Sequence, residues 1–440
     1  MARIILYSND TIGEKMAGPG IRYVQMARAF GKNHTVLLAA PSPSKYQDSN
    51  FQFYTYKKPK DLLAQIPKAQ VIIAQKLPPV LLKAVRKNNI KFIADFYDPI
   101  VLENLEANRT KPIDHQVAIY NFESANQALQ LSVADHILVA SERQRDYWIG
   151  VLSSLGRIIP EVYSEDVSLN HLISILPFGV EKKQPKIDDQ EAILKLIPNF
   201  TKDDKVILWG GGIWNWFDPL SVIEAINIIK TSHPEVKLLF LGIKHPNPDA
   251  PEMEMTGRAI KLADEMKLTG RHVFFNYQWV PYDERQNYVL QCFAAVSTHF
   301  DHVETRLSFR TRIVDSYIWA NLPIIATRGD SMADLIEKRK LGTVVNYVDS
   351  KQIAEAIKTM IEDKKFYQEC QENVSVVREE FIWDNLILSV EELFAKNKWT
   401  EITLNEISFK QLISLYFKAG LQKVLIMKGW TGVLAKILKK

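Results

Sequence analysis

The sequence has few cysteines and no long apolar run. Cys292 and Cys370 are its two cysteines in 440 residues, and two thiols so far apart provide neither a metal-ligand spacing nor a disulfide framework. No stretch approaches the roughly 18 apolar residues of a membrane-spanning helix. The first residues predict a short strand and no secretory signal. These absences predict a cytoplasmic protein, because disulfides are rare in that compartment.

Net charge is low except at the C-terminus. The formal net charge is +4, and residues 401–440 contain seven lysines against two glutamates, a net +5 that leaves −1 for the rest of the chain. The length exceeds what one hydrophobic core supports, and 47% apolar with 24% charged residues is ordinary for a globular protein. Two globular domains followed by a basic tail are therefore predicted.

Short apolar runs alternate with helical patterns along the chain. Runs that are apolar on both faces indicate parallel strands with helices on either side. The predicted strands lie at residues 4–6, 36–38, 71–73, 92–94, 136–139, 172–176, 206–209, 237–241, 272–275, 294–296, 323–326 and 343–345. Two sets of about six strands predict an α/β protein of two doubly wound, Rossmann-like domains. The boundary is expected near residues 177–180, before a polar linker.

A glycine-containing turn follows the first strand of each predicted domain. Glycine lets backbone N–H groups approach an anion or a sugar, and a helix N-terminus favours negative charge. The candidate ligand-binding residues are Gly18, Gly20, Arg22 and Tyr23 in the first turn, and Gly210, Gly211, Gly212, Trp214, Trp216 and Asp218 in the second. Neither turn has the spacing of a dinucleotide fingerprint. Tight turns without a ligand, and tryptophans packed in a core, are the alternatives.

The segment from Glu304 to Arg312 carries one carboxylate and three guanidinium groups immediately before an apolar strand. Arginines suit phosphates, and Glu304 can accept hydrogen bonds from sugar hydroxyls, so a sugar diphosphate is the expected ligand class. A solvated, salt-bridged helix face is the alternative. Ligands of open α/β sheets bind beyond the carboxyl ends of the strands. The two glycine turns and this segment therefore share one cleft if the domains face each other.

Three short motifs stand out: Ile175-Leu-Pro-Phe-Gly-Val180, Asn321-Leu-Pro-Ile-Ile-Ala-Thr327 and Phe381-Ile-Trp383. They resemble motifs of two-domain GT-B glycosyltransferases of the retaining family 4, and the resemblance covers roughly residues 1–400. It implies an acceptor-binding domain at 1–180, a nucleotide-sugar-binding domain at 181–380 and a helix crossing back at 381–400. The implied activity is transfer of a hexose from a nucleoside-diphosphate sugar to a hydroxyl of a glycan or lipid-linked acceptor, in envelope polysaccharide or glycolipid synthesis.

The chain departs from this family at its donor site. The family's two glutamates, separated by seven residues, correspond here to Ser308 and Ser316, while Glu304 and Asp315 lie nearby but out of register. The family's Arg and Lys after the first strand of the second domain are also missing. A divergent subgroup is therefore inferred. Its donor-binding residues are predicted to be Arg306, Ser308, Arg310, Arg312 and Asp315, with the arginines facing the phosphates.

No cofactor or metal is expected. The sequence has no Asp-x-Asp pair, so arginines and helix N-termini are the predicted partners of the departing diphosphate. His299, Asp301 and His302 lack a fixed coordination spacing. Asp95 and Asp98, which follow a predicted strand, are candidate catalytic groups together with Glu304. Asp98 is equally suited to open a turn before Pro99. Glu123 resembles an acidic residue of the family, but a residue of this kind is more often only a helix-face charge.

The tail at residues 401–440 has apolar residues at helical spacing with lysines around them. Such a basic amphipathic segment binds an anionic membrane surface or docks on protein through the same face, and a peripheral location at the inner membrane face follows from the first reading. No nucleic acid is expected as a partner. A nucleotide-sugar 2-epimerase of the same fold and a non-catalytic GT-B scaffold are the alternative functions; the tail disfavours the first and the arginines disfavour the second.

Overall fold

The computed structural model describes residues 1–243, 253–400 and 406–438, with side chains omitted at 406–407 and 430–438. The chain forms two compact units. The first comprises Met1–Asp10, Ala27–Pro177 and Ile387–Lys440, and the second comprises Thr11–Met26 and Phe178–Leu386. Residues 11–26, which the sequence analysis assigned to the first domain, therefore pack with the second unit. The C-terminal segment packs with the first unit.

The strands alternate with helices in nearly every part of the described chain. The strands there are β1 Arg3–Tyr7, β2 Thr35–Pro41, β3 Gln52–Tyr56, β4 Val71–Ala74, β5 Lys91–Asp95, β6 His136–Val139, β7 Ile173–Ile175, β8 Lys205–Trp209, β9 Val236–Phe240, β10 Val273–Phe275, β11 Ala294–Ser297, β12 Ile324–Thr327 and β13 Gly342–Val345. Every predicted strand forms, and β3 is an addition.

The α-helices of the described chain cover both sheets. They are α1 Gly18–Gly31, α2 Pro79–Lys87, α3 Ile100–Ala107, α4 Ile113–Val133, α5 Glu142–Ser154, α6 Pro160–Glu165, α7 Pro219–Ile229, α8 Glu254–Glu265, α9 Gln286–Val289, α10 Val303–Leu307, α11 Ser331–Arg339, α12 Ser350–Glu362, α13 Lys364–Glu380, α14 Trp383–Leu386, α15 Leu388–Lys396 and α16 Glu406–Leu438. A π-helical turn occupies Ile313–Ile318. None of these helices is long and apolar enough to cross a membrane within the described residues.

Both sheets are parallel and have the Rossmann strand order. The first runs β3-β2-β1-β4-β5-β6-β7 and the second runs β10-β9-β8-β11-β12-β13. The strands are buried because their side chains are apolar on both faces, as in β4 and β12, where every residue is buried. The predicted fold class is thereby confirmed. In such sheets the strand order reverses beside the first strand, and ligands bind at that switch point.

Helix α16 packs along α4 in the first unit. Phe409 and Ile413 are buried in the core of that unit, and the Tyr416 ring lies 5.2 Å from the Phe122 ring. The helix is broken at Gly429, whose φ of 62° is left-handed. The apolar face that the sequence assigned to a membrane or to protein is thus used, in this part, for docking on protein.

Candidate functional site

The switch point of the second sheet lies between β8 and β11, which are neighbours. Three loops leave the carboxyl ends of strands at this place: residues 210–218 after β8, residues 298–302 after β11 and residues 328–330 after β12. Phe217 and His299 join the first two loops by an antiparallel bridge, and Asp218 N donates to Thr298 O at 3.0 Å. The geometry brings the predicted glycine turn and the arginine-rich segment to one edge of this sheet.

The glycine turn is held by a tyrosine. Gly210 N donates to Tyr317 Oη at 3.0 Å, and Tyr317 Oη donates to Val296 O at 2.8 Å. A Cβ atom at Gly210 would lie 3.0 Å from the Tyr317 ring, so a larger residue here would force that ring to shift. The Gly210 N–H group is therefore occupied, whereas Gly211, with φ of 77°, turns the chain.

Two tryptophans in this turn have different environments. The Trp214 and Trp216 rings stack at 5.4 Å, but Trp216 is buried while Trp214 keeps an exposed part. Asn215 Oδ1 accepts from Met255 N at 3.1 Å, which ties the turn to α8. Of the two tryptophans predicted to contact the ligand, Trp214 therefore has the accessible ring, and the buried Trp216 ring stacks on it.

Asp218 forms the N-cap of α7. Its Oδ1 accepts from Ser221 N at 3.0 Å, and its buried Oδ2 has no partner among the described residues. Burial raises the pKa of this carboxyl group. The turn-capping role fits the local sequence Asp218-Pro219 at a helix start, and a polar atom left unpartnered in this position is a feature that capping alone does not require.

A buried ionic network surrounds Arg310. Its Nη1 and Nη2 each donate to one oxygen of Glu304 at 3.2 Å, and its Nε donates to Asp330 Oδ2 at 3.4 Å. Ser308 Oγ donates to Glu304. Glu304, Asp330 and Arg310 are 1%, 2% and 5% exposed. Two carboxylates thus neutralise Arg310. This differs from the prediction from the sequence, in which Arg310 faces a phosphate of the donor.

His299 extends this network to the loop after β11. Its Nε2 lies 3.1 Å from Asp330 Oδ2, and its buried Nδ1 has no partner among the described residues. Burial alone would raise the pKa of Asp330, but the hydrogen bond to His299 and the charges of His299 and Arg310 outweigh it, so the pKa is lowered. The sequence analysis did not include Asp330 among the site residues, and for His299 it favoured a structural or substrate-contact role over metal binding; both residues follow strands at this edge of the sheet.

The other two arginines lie outside this network. Arg306 is on the surface, 65% exposed, with Nη2 3.6 Å from Asp301 Oδ1. Arg312 is half-buried; its Nη2 donates to Gly212 O at 2.9 Å and its guanidinium lies 4.3 Å from the Phe217 ring centre. Burial lowers the pKa of Arg312 to about 10, so it remains a cation at neutral pH. Arg312 is the cation that borders the glycine turn.

Asp315 and Ser316 point to different surroundings. Asp315 Oδ1 accepts from Tyr282 Oη at 3.0 Å and lies 3.9 Å from Arg285 Nη2, so it is a buried partner of the loop after β10. Ser316 lies beside the glycine turn, with its Cβ 3.7 Å from the place a Gly210 side chain would occupy. The structure therefore does not bring the predicted donor residue Asp315 to the glycine turn.

The first glycine turn belongs to the second unit. A side chain at Gly18 would lie 3.6 Å from Thr311 Oγ1, and one at Gly20 would lie 3.2 Å from Thr11 O. Arg22 and Tyr23 are 0% and 1% exposed. Gly18, at the start of α1, is thus next to the arginine-rich segment, whereas Arg22 and Tyr23 lie in the interior.

The predicted catalytic aspartates lie at the carboxyl end of β5 in the first unit. Asp95 is the last residue of β5 and is buried, while Asp98 is half-buried. Asp98 Oδ2 accepts from Gln75 Nε2 at 3.4 Å, which links it to the loop after the neighbouring strand β4. Of the two, Asp98 is therefore better placed to meet a ligand.

The described residues contain no group of three or more His, Cys, Asp or Glu arranged to hold a metal ion. His302 instead caps α10, because its Nδ1 accepts from Thr305 N at 3.2 Å.

Comparison with known proteins identifies the second unit. Residues 193–376 match the family model of glycosyl transferases group 1. No curated protein matches the chain. The predicted resemblance to these glycosyltransferases is confirmed for residues 193–376.

Solved structures match the chain as a whole. Sucrose-phosphate synthase from Thermosynechococcus elongatus has a TM-score of 0.62 at 16% identity, over 90% of this chain and 99% of that one. Anabaena HepE in complex with UDP-glucose has a TM-score of 0.61 at 12% identity, over 90% and 100%. WaaG, a glycosyltransferase involved in lipopolysaccharide biosynthesis, has 0.60 at 13%, over 88% and 98%. The chain has the GT-B fold.

Proposed function

We propose that the protein transfers a hexose from a nucleoside-diphosphate sugar to a hydroxyl of a glycan or lipid-linked acceptor. The observation that carries the proposal is the charged edge of a group 1 glycosyltransferase domain, where Arg312, the glycine turn and the Arg310 network meet. HepE, which has the same fold, was solved in complex with UDP-glucose. Synthesis of an envelope polysaccharide or glycolipid is the proposed setting.

Arg312 is proposed to neutralise the departing diphosphate. It borders Gly212, keeps its charge at neutral pH and forms no ion pair with a carboxylate of the described residues. A fixed cation at the place where negative charge develops stabilises the transition state of such a transfer. This arrangement supports a metal-independent reaction, and retention of configuration remains what the family resemblance implies.

The Arg310 network is proposed to position the site. Arg310 holds Glu304, and Asp330 holds His299, so the buried polar groups have fixed orientations before substrate binds. Asp218 Oδ2 and His299 Nδ1 are buried atoms without partners among the described residues. Leaving such an atom unpaired costs about 1–3 kcal/mol. The retained polarity supports a functional role for this edge over a purely structural one.

Nucleotide binding tests the donor site. Thermal unfolding is measured with UDP, GDP, dTDP and their sugars, and one base is expected to raise the midpoint. A ligand at 100 times its dissociation constant stabilises by about 2.7 kcal/mol. Arg306→Ala should keep the shift and Arg312→Ala should reduce it, because the first residue is on the surface. No shift with any nucleotide would contradict the donor site and favour a non-catalytic scaffold.

Contact with an anionic membrane is proposed for the exposed side of α16. Lys410, Phe417, Leu421 and Lys428 are all exposed, and their spacing places them on one helical face. Apolar residues between lysines suit an interfacial helix on anionic lipid. Of the apolar residues that the sequence placed on one face, Phe417 is exposed, whereas Ile413 and Tyr416 pack on the first unit.

Changing that face should weaken vesicle binding. The double variant Phe417→Gln, Leu421→Gln is expected to bind phosphatidylglycerol vesicles at least tenfold more weakly in co-sedimentation, since an apolar side chain contributes about 1.5–3 kcal/mol when buried. Val376→Gln, at a 61% exposed apolar position on α13, is the control and should bind like the parent. Equal sedimentation of the double variant and the parent would contradict a membrane role for α16.

A further inference from the structure

The first sheet has its own switch point, between β1 and β4. The loops that leave these strands are joined there, because Asn9 Nδ2 donates to Lys76 O at 3.0 Å. Gln130 fixes the same loop from α4: its Oε1 accepts from Leu77 N at 3.0 Å and its Nε2 donates to Leu77 O at 2.9 Å. Lys76 is therefore held at the position where a doubly wound sheet binds its ligand.

Two lysines converge on one carboxylate beside this loop. Lys76 Nζ lies 3.5 Å from Glu123 Oε2, and Lys423 Nζ lies 3.6 Å from Glu123 Oε1. Both ammonium groups also lie 4.7 Å from the centre of the Phe122 ring. The side chains of Lys76 and Lys423 remain 32% and 27% exposed, whereas Glu123 is 12% exposed. The cluster is thus partly sheltered but reachable from solvent.

Lys423 is brought there by the C-terminal helix. It lies on α16, which is anchored to the first unit through buried Phe409, Ile413 and Ala419. Lys76 and Lys423 are 347 positions apart in the sequence, and the apolar docking of α16 is what places them on the same glutamate. A residue of the basic tail therefore contributes to the carboxyl edge of the first sheet.

The cluster carries one positive charge in excess. One lysine is enough to neutralise Glu123, and the second adds repulsion within this partly sheltered site. Burial lowers the pKa of Lys76; Glu123 raises it and the charge of Lys423 lowers it further. A bound anion would relieve this repulsion, because it would give each ammonium group a second acceptor. An ion pair that only joined α16 to α4 would need Lys423 and Glu123, but not Lys76.

We propose that Lys76 and Lys423 bind a phosphate group of the acceptor, so that the acceptor is anionic and α16 forms part of its site. This inference rests on the proposed glycosyl transfer. Asp98 lies on the adjacent loop, joined to Gln75 at 3.4 Å. A phosphate at the lysines would therefore place the rest of the acceptor near the half-buried carboxylate that is a candidate base.

Anion binding to the full-length protein tests the subsite. Inorganic pyrophosphate is titrated calorimetrically in an Arg312→Ala background, so that the donor edge of the second unit does not contribute. Adding Lys76→Met or Lys423→Met is expected to weaken binding at least tenfold. Adding Lys418→Met, an exposed lysine on the same helix, should leave it unchanged. Equal binding by all of these proteins would overturn the proposal.

Glu123→Gln separates binding from a structural role. It removes the internal competitor of the anion, so pyrophosphate is expected to bind several-fold more tightly. If Glu123 only fastens α16, this variant destabilises the protein and does not improve anion binding, which would also overturn the proposal. Nucleotide stabilisation through the second unit should persist in Lys423→Met, so a failure of this subsite is distinguishable from a failure of the donor site.

Vesicles identify the source of the phosphate. If Lys423→Met loses both pyrophosphate binding and sedimentation with phosphatidylglycerol vesicles, the phosphate is a lipid headgroup. If it loses pyrophosphate binding alone, the phosphate belongs to a soluble acceptor or to a phosphate linkage within the acceptor. Phosphatidylcholine vesicles, which carry no net charge, are the control for sedimentation.

Discussion

Arg310→Met is expected to lower the free energy of unfolding by about 3–5 kcal/mol, as removal of one partner from a buried ionic network does. The substitution keeps an unbranched side chain of similar length but leaves Glu304 and Asp330 buried without their cation. Both carboxylates are almost fully enclosed, at 1% and 2% exposure. Water cannot replace the guanidinium group there, and each carboxylate must become protonated or drive the segment open.

Urea unfolding measures this effect. Arg306→Met is the matched control, because it removes an arginine four residues away that is 65% exposed, and it should change stability by less than about 0.5 kcal/mol. Combining Arg310→Met with Glu304→Gln should recover part of the loss, since the two residues share hydrogen bonds. A loss below about 1 kcal/mol for Arg310→Met alone would show that the network is hydrated.

Arg312→Ala is expected to lower kcat/KM for the nucleotide sugar by a factor of about 10²–10³, the usual cost of removing one fixed charge partner in a transition state. Arg312→Lys should fall between this variant and the parent. It keeps the charge, but an ammonium group cannot both donate to Gly212 O and stack over Phe217 in the way the planar guanidinium does.

The initial rate is measured with the nucleotide sugar that stabilises the parent protein most. Arg306→Ala, again the surface control, should keep full activity. Because Arg312 also packs on aromatic rings, the unfolding midpoint of each variant must accompany the rates, and activity is compared only below the unfolding transition. Unchanged kcat/KM in a folded Arg312→Ala protein would remove Arg312 from the donor site.

Much of the fold was predictable because buried parallel strands have a recognisable apolar pattern. Runs such as Val71–Ala74 and Ile324–Thr327 are apolar on both faces and are buried throughout. The missed strand β3, Gln52–Tyr56, lies at the edge of the first sheet, and Tyr56 is its one buried residue. An edge strand that is polar or half-exposed at most positions has the composition of a loop, and no local pattern separates the two.

The site was predictable as a region but not residue by residue. The sequence analysis grouped Arg306, Arg310 and Arg312 by composition. In the structure Arg306 lies on the surface, Arg310 pairs with two carboxylates and Arg312 borders the glycine turn. Arg306 lies on α10, which ends at Leu307, and the extended backbone of its C-cap Ser308 changes the direction of the chain before Arg310 and Arg312. The partners Asp330 and His299 come from separate strands, and their meeting depends on the sheet order.

The packing of α16 has a consequence for how the chain folds during synthesis. The first unit includes Ile387–Lys440, and Phe409 and Ile413 complete its hydrophobic core. Domains generally fold as they leave the ribosome, with the N-terminal one first. The segments of the second unit end at Leu386, whereas α16, which completes the core of the first unit, is translated after them. A nascent chain that stalls before α16 would expose the apolar α4 surface that this helix covers, and an exposed apolar patch is prone to aggregation.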